Sequence, residues 1–154
     1  MKQLFLLIAL IITGNVLCAQ DNAALRTKHF NLDKGVALSG YDAVAYIKQN
    51  KAVKGSKAFT SSYEGATYYF ATTADRDEFN KNPDMYEPQY GGWCAYAMGK
   101  KGEKVSIDPG TFKIINGKLY LFYNKYFNNT LTDWNKDEAN LKARADANWQ
   151  KSFH

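Results

Sequence analysis

The residue best suited to chemistry is a thiol. Cys94 stands in Gln89-Tyr90-Gly91-Gly92-Trp93-Cys94-Ala95. A cysteine acts as nucleophile or soft-metal ligand through its thiolate. If a helix begins near Gly92, its free N–H groups and positive dipole end lie close to the sulfur and favour that form. Gly91 and Gly92 would also let a ligand approach the backbone closely. The plainer alternative is a small apolar side chain packed beside Trp93. Met98 follows four residues later, on the same face of such a helix. Cys94 with Met98, and with Met85 as a third sulfur, would be a soft set selecting copper(I). The alternative is that both methionines fill gaps in a core.

Other chemistries find less support. Structural zinc asks for four Cys or His ligands, and the two histidines, His29 and His154, sit near the chain ends as ordinary solvated side chains. Tyr41 and Asp42 could offer a phenol and a carboxylate to a pocket near Cys94, although Asp42 is more simply the cap of a short helix. Tyr90, Trp93 and Tyr96 could line that pocket or belong to the core and its rim. There is no Ser-His-Asp set, no phosphate-binding glycine loop and no HExxH helix. Without a central histidine, a Cys-His hydrolase is hard to build. Asn128-Asn129-Thr130 is a glycosylation sequon, a common chance match.

These residues must be positioned by short elements. Gly35 to Gly40 reads as a short strand closed by glycines, and Asp42 as the start of a short helix. Ala58 to Tyr63 and Thr67 to Ala71 are β-branched and aromatic, with a turn at Glu64-Gly65. A helix opens at Thr72-Thr73-Ala74-Asp75 and ends near Asn82, before Pro83. Asp84 to Tyr90 is a connector. Trp93 to Met98 is a short helix stopped by Gly99. Asp108-Pro109-Gly110 is a turn. Thr111 to Ile115 and Lys118 to Tyr123 form a hairpin about Asn116-Gly117, the clearest hairpin signal in the chain. Asn124 to Trp134 and Lys136 to Lys151 read as helical, the second with Leu141, Ala145 and Trp149 at helical spacing. No repeat shows at solenoid or propeller periods.

The chain has 154 residues, 45% hydrophobic and 15% aromatic, which suits one domain with a ring-rich core. Lys2, the apolar run Leu4 to Ile12 and the break at Thr13-Gly14-Asn15 have the layout of a secretory signal peptide. The run falls short of the about 20 residues a membrane span needs. Cleavage is expected after Ala19, giving a signal at 1–19, a loose polar leader at 20–31 and a domain at 32–154. Lipoprotein anchoring through Cys18 is the lesser alternative, because Leu17 stands where a small residue is wanted. Loss of Cys18 leaves Cys94 as the sole thiol and rules out an internal disulfide. The net charge of +5 comes from scattered lysines such as Lys48, Lys54, Lys100 and Lys104. That pattern gives a solvated basic surface with weak attraction to anionic lipid or sugar, and no nucleic-acid partner.

Several segments together carry a likeness. Leu38-Ser39-Gly40-Tyr41-Asp42-Ala43-Val44-Ala45-Tyr46, Tyr68-Tyr69-Phe70, Pro88 to Ala95, Asp108-Pro109, Gly117 to Asn124 and Ala145-Asp146-Ala147-Asn148-Trp149 resemble the secreted YHS domain-containing proteins, over roughly Leu32 to Phe153. The resemblance implies an exported, TRASH-like metal-binding context. Some members of that subfamily carry selenocysteine at the position of Cys94, which implies a redox or soft-metal site there. Ala43 stands where members often have proline, and the Tyr-His-Ser triplet itself is absent, so no histidine ligand carries over. The expected fold is α+β: small antiparallel hairpins packed with short helices and a C-terminal helical segment. The expected function is a periplasmic or secreted accessory protein rather than an enzyme. It would act through Cys94 on copper, or on a thiol or oxidant. The alternative is a non-catalytic module binding a small molecule or partner in an aromatic pocket (Tyr41, Asp42, Tyr90, Gly91, Gly92, Trp93, Tyr96), with Cys94 structural.

Overall fold

One short unit, a left-handed turn leading into a short helix and then a hairpin, is built twice in this chain. The computed structural model describes residues 23–152. In the first unit the turn is Ala37–Gly40, helix α2 is Ala43–Gln49, and strands β1 (Ser56–Tyr63) and β2 (Ala66–Phe70) pair antiparallel. In the second, the turn is Gln89–Gly92, helix α5 is Ala95–Lys101, and β3 (Asp108–Ile115) pairs with β4 (Lys118–Phe122). Every boundary is displaced by 52 residues, as Ser56 is from Asp108.

The correspondence extends to single hydrogen bonds. The pairs Ser56↔Phe70 and Thr60↔Tyr69, with a bulge between them, recur as Asp108↔Phe122 and Phe112↔Leu121. Asp42 N–H donates to Val53 O, and Cys94 N–H to Val105 O, both at 2.9 Å. The parallel bridge Val36↔Thr67 recurs as Pro88↔Leu119. Each unit has its own aromatic core: Phe79 against Tyr68 and Phe70, and Trp134 against Tyr120 and Phe122.

The remaining helices close these two cores. α3 (Thr73–Lys81) starts at Thr72, whose hydroxyl accepts the Asp75 N–H, and Phe79 is its one buried residue. α4 (Pro83–Tyr86) follows at once. The short α6 (Thr130–Trp134) and the longer α7 (Glu138–Lys151) cover the second unit, with Leu141 and Ala145 buried against α5. Residues 23–29 form α1, held by Arg26, which pairs with Glu87 and Glu64. The architecture is α+β, with hairpins and helices as expected. No helix among the described residues is long and apolar enough to cross a membrane.

Several local expectations are corrected. Gly35 to Gly40 is no strand: Leu38 and Ser39 adopt φ of 55° and 52°, which turns the chain. Pro83 does more than end α3; it also begins α4, where its missing N–H costs nothing. Trp93 is extended and Cys94 is non-helical, so α5 starts at Ala95 and runs through Gly99 to a left-handed cap at Gly102. Gly99 is a contact residue: a β-carbon there would lie 2.4 Å from Leu141 O. Asp108-Pro109-Gly110 is the bulged start of β3, where the Asp108 carboxylate accepts from Gly110 N–H and the Thr111 hydroxyl. Asn124 to Trp134 is not one helix, because β5 (Asn124–Lys125) and β6 (Asn128–Asn129) form a small hairpin before α6. The leader is not loose over 23–29, which is helical and packed. The signal segment, Cys18 and His154 lie outside the described residues.

Glu78 ties three helices together. It accepts from Tyr86 Oη at 2.8 Å on α4 and Lys81 Nζ at 2.9 Å on α3, and pairs with Lys48 of α2 at 3.3 Å. The bonds from Lys81, Tyr86 and Lys48 pull its carboxyl from 4.5 to about 2. A carboxyl depressed in the folded state contributes stability above its unfolded range and loses it as pH falls through the folded value. Glu78→Gln should therefore lower the thermal midpoint at neutral pH and flatten its fall between pH 4.5 and about 2. Parallel pH profiles for the two proteins would show that this cluster does not contribute.

Candidate functional site

Cys94 sits where the backbone leaves the second left-handed turn and enters α5. Its N–H is fixed to Val105 O, and its carbonyl receives Met98 N–H at 3.0 Å. The side chain is fully buried, and its sulfur has two polar neighbours. Tyr123 N–H donates to Sγ at 3.3 Å, and Thr130 Oγ1 lies 3.4 Å away. Thr130 also reaches Tyr123 O, its hydroxyl donating at 2.9 Å. With that hydrogen on Tyr123 O, the thiol donates to Thr130 and a closed ring of hydrogen bonds results. Turned the other way, the hydroxyl joins Tyr123 N–H in donating to a thiolate.

Cys94 backs the wall of an open basin of about 320 Å³, with Tyr96, Lys100, Tyr123, Asn128 and Thr130 among its neighbours. Lys101 and Glu103 also line it, 3.9 Å apart as an ion pair. Tyr123 and Thr130 come from distant parts of the chain and carry no local motif that marks them as partners of a cysteine.

The other expected pocket residues are distributed elsewhere. Tyr96 alone joins Cys94 at the basin. Tyr90 and Gly91 line a separate cavity of about 300 Å³ with Arg26, Phe30, Glu87 and Trp149. Tyr90 Oη donates to Asp146 at 2.8 Å. Gly91 is needed for close packing, since a β-carbon would meet Trp149 and Phe30 at 2.8 and 2.9 Å. Gly92 O accepts Asn31 Nδ2, and Trp93 Nε1 donates to His29 O at 2.7 Å. His29 itself is engaged, its Nδ1 2.9 Å from Lys104 Nζ. Tyr41 lies in the first unit under the Lys54 ammonium, 4.6 Å from the ring centre.

Asp42 is the cap it was expected to be, and more. One carboxylate oxygen accepts Val44 and Ala45 N–H, and the other accepts Ala71 N–H at 2.7 Å. Burial pushes its carboxyl up, while these N–H groups pull it back down. By the 52-residue displacement Asp42 corresponds to Cys94, and Ala71 to Tyr123. The carboxylate and the sulfur thus make the same tie, from the start of a helix to the end of a hairpin.

The three sulfurs are not gathered. Met98 is buried in the second core with Tyr120, Phe122 and Trp134, whereas Cys94 packs in the first, and Met85 is 41% exposed on α4. No cluster of three His, Cys, Asp or Glu suited to a metal occurs among the described residues.

Fold and site together define a small α+β chain of two equivalent helix–hairpin units, with a carboxylate before the helix of one and a thiol before the helix of the other. Within it, residues 46–90 match the model of the YHS domain, so the chain contains a YHS-like region. That region runs from α2 to the second turn and stops short of Cys94. No curated protein and no solved structure matches the chain.

Proposed function

We propose that this is an exported accessory protein whose working group is the Cys94 thiol, reached through the basin beside it. The carrying observation is that a buried cysteine with two polar partners at its sulfur lies directly behind the wall of an open basin with a basic rim. The copper expectation needs a second soft donor. Around Cys94 the described residues offer a hydroxyl and a backbone N–H, and both methionines lie elsewhere. That set does not fit a resident copper(I) centre.

The chemistry that fits is thiol exchange with a small anionic disulfide drawn by Lys100 and Lys101. Once a local opening of the basin wall uncovers it, the Cys94 thiol gives its proton to solvent, and the thiolate attacks one sulfur of the disulfide. A protein–ligand S–S bond forms, the old S–S bond breaks, and the other half leaves as a thiolate. An external thiol must restore Cys94, because the described residues hold no second cysteine.

A second reading rests on Asp42. Because that carboxylate makes the corresponding tie in the first unit, Cys94 is then a structural link and the basin binds its ligand without covalent chemistry. An anionic aromatic disulfide separates the two. Under the first reading the folded protein releases one reagent thiol per chain at neutral pH, Cys94→Ser releases none, and replacing Lys100 and Lys101 by Gln slows the anionic reagent more than neutral iodoacetamide. A thiol that reacts only after denaturation sinks the first reading and supports the second.

A further inference from the structure

The two units differ most in how the hairpin joins the next helix. In the first, Ala71 and Thr72 alone lead from β2 to α3. In the second, β4 and α6 are separated by residues 123–129, and α6 begins 57 residues after α3 (Thr73 to Thr130), five more than the general displacement. The extra residues form the β5–β6 hairpin, with Asn124 opposite Asn129 and Lys125 opposite Asn128. Its two-residue turn is Tyr126-Phe127, at φ of 52° and 63°.

Such a turn places both residues in the left-handed region, where Asn-Gly fits and bulky side chains are strained. Strain of this kind persists where the surrounding structure imposes it, and it collects at functional sites. Here the strained residues are also the most exposed large apolar side chains, 89% for Tyr126 and 111% for Phe127. The first unit manages without the insertion, so the fold does not require it.

The surroundings indicate a partner. Lys125 is exposed beside the tip, and Lys100 and Lys101 share the basin with Asn128. The one acid among the residues lining that basin, Glu103, faces both Lys100 and Lys101 in the same lining, so the rim stays net positive despite its 3.9 Å pair with Lys101. Two rings on a narrow tip are far too small for a stable protein interface, which takes about 800 Å² from each side. They suit the headgroup level of a bilayer, where aromatic rings settle and lysines meet anionic lipid.

We propose that the Tyr126-Phe127 tip inserts into the interfacial layer of an anionic membrane, with Lys125, Lys100 and Lys101 against the headgroups. The test is sedimentation of the protein with vesicles of equal parts phosphatidylcholine and phosphatidylglycerol, against phosphatidylcholine alone. Binding should need the anionic lipid and weaken with salt. Phe127→Trp should show a blue shift of the added emission when these vesicles are present. Tyr126→Asn with Phe127→Gly keeps a hairpin turn suited to its backbone. It should raise the thermal midpoint while cutting vesicle binding by about tenfold or more. Absence of binding to anionic vesicles, equal binding to both vesicle types, or undiminished binding by the Asn-Gly variant would each overturn the proposal.

Discussion

Asp42→Ala should destabilise the protein by about 3 kcal/mol, from losing a helix cap at about 1–2 kcal/mol and orphaning a buried N–H at about 1–3 kcal/mol. The side chain is fully buried and receives three backbone N–H groups, two from the first turn of α2 and one from Ala71. Its removal frees α2 from the end of β2, and both elements contribute to the core around Phe79. Asp42→Asn should cost less, because one carbonyl oxygen can still cap α2 while the amide nitrogen cannot accept from Ala71. Urea unfolding would check both values. A loss below about 1 kcal/mol for the alanine variant would mean that water replaces the carboxylate and that the tie contributes little.

Gly99→Ala should also destabilise, against its helix propensity. In an exposed helix interior, alanine would be better than glycine by about 1 kcal/mol. At this position the new methyl would overlap the Leu141 carbonyl, 2.4 Å from the ideal β-carbon. The atom it meets is backbone of α7, so relief requires moving a helix. Overpacking of this kind costs about 3 kcal/mol, leaving a net loss of about 2 kcal/mol. Denaturant unfolding decides the sign, and a gain would mean that α7 does not rest on α5 as described. The corresponding residue of the first unit is Ile47, so the glycine is particular to the second.

Much of the fold was legible where local chemistry and tertiary structure agree. Asn116-Gly117 turns its hairpin at positive φ, as such residues do, and Gly65 lets the Glu64-Gly65 turn do the same. Asp42 and Thr72 cap the helices that they precede, and Leu141 and Ala145 mark the buried face of α7. What escaped was set by long-range contacts. Leu38, Ser39, Tyr126 and Phe127 have types that disfavour positive φ, so nothing local announced those turns. Gly99 reads as a helix stop in sequence and serves as a point of close approach in space. Thr130 and Tyr123 meet Cys94 only because β4 delivers them there. The doubling escaped as well, since its trace is confined to Gly40-Tyr41-Asp42-Ala43 against Gly92-Trp93-Cys94-Ala95, with Val53, Tyr68 and Phe70 repeating as Val105, Tyr120 and Phe122. Most other positions differ, and a core needs only rings of about the right size at those places.

A molecule that uses one unit twice carries a spare. The first copy keeps a carboxylate at its cap and the shortest path into its next helix. The second exchanges that carboxylate for sulfur, narrows a helix to glycine to admit a neighbour, and accepts a five-residue addition. Each departure is tolerated because the backbone ties that define the unit survive it. The thiol, most of the basin wall and the aromatic tip all belong to that second copy and its insertion.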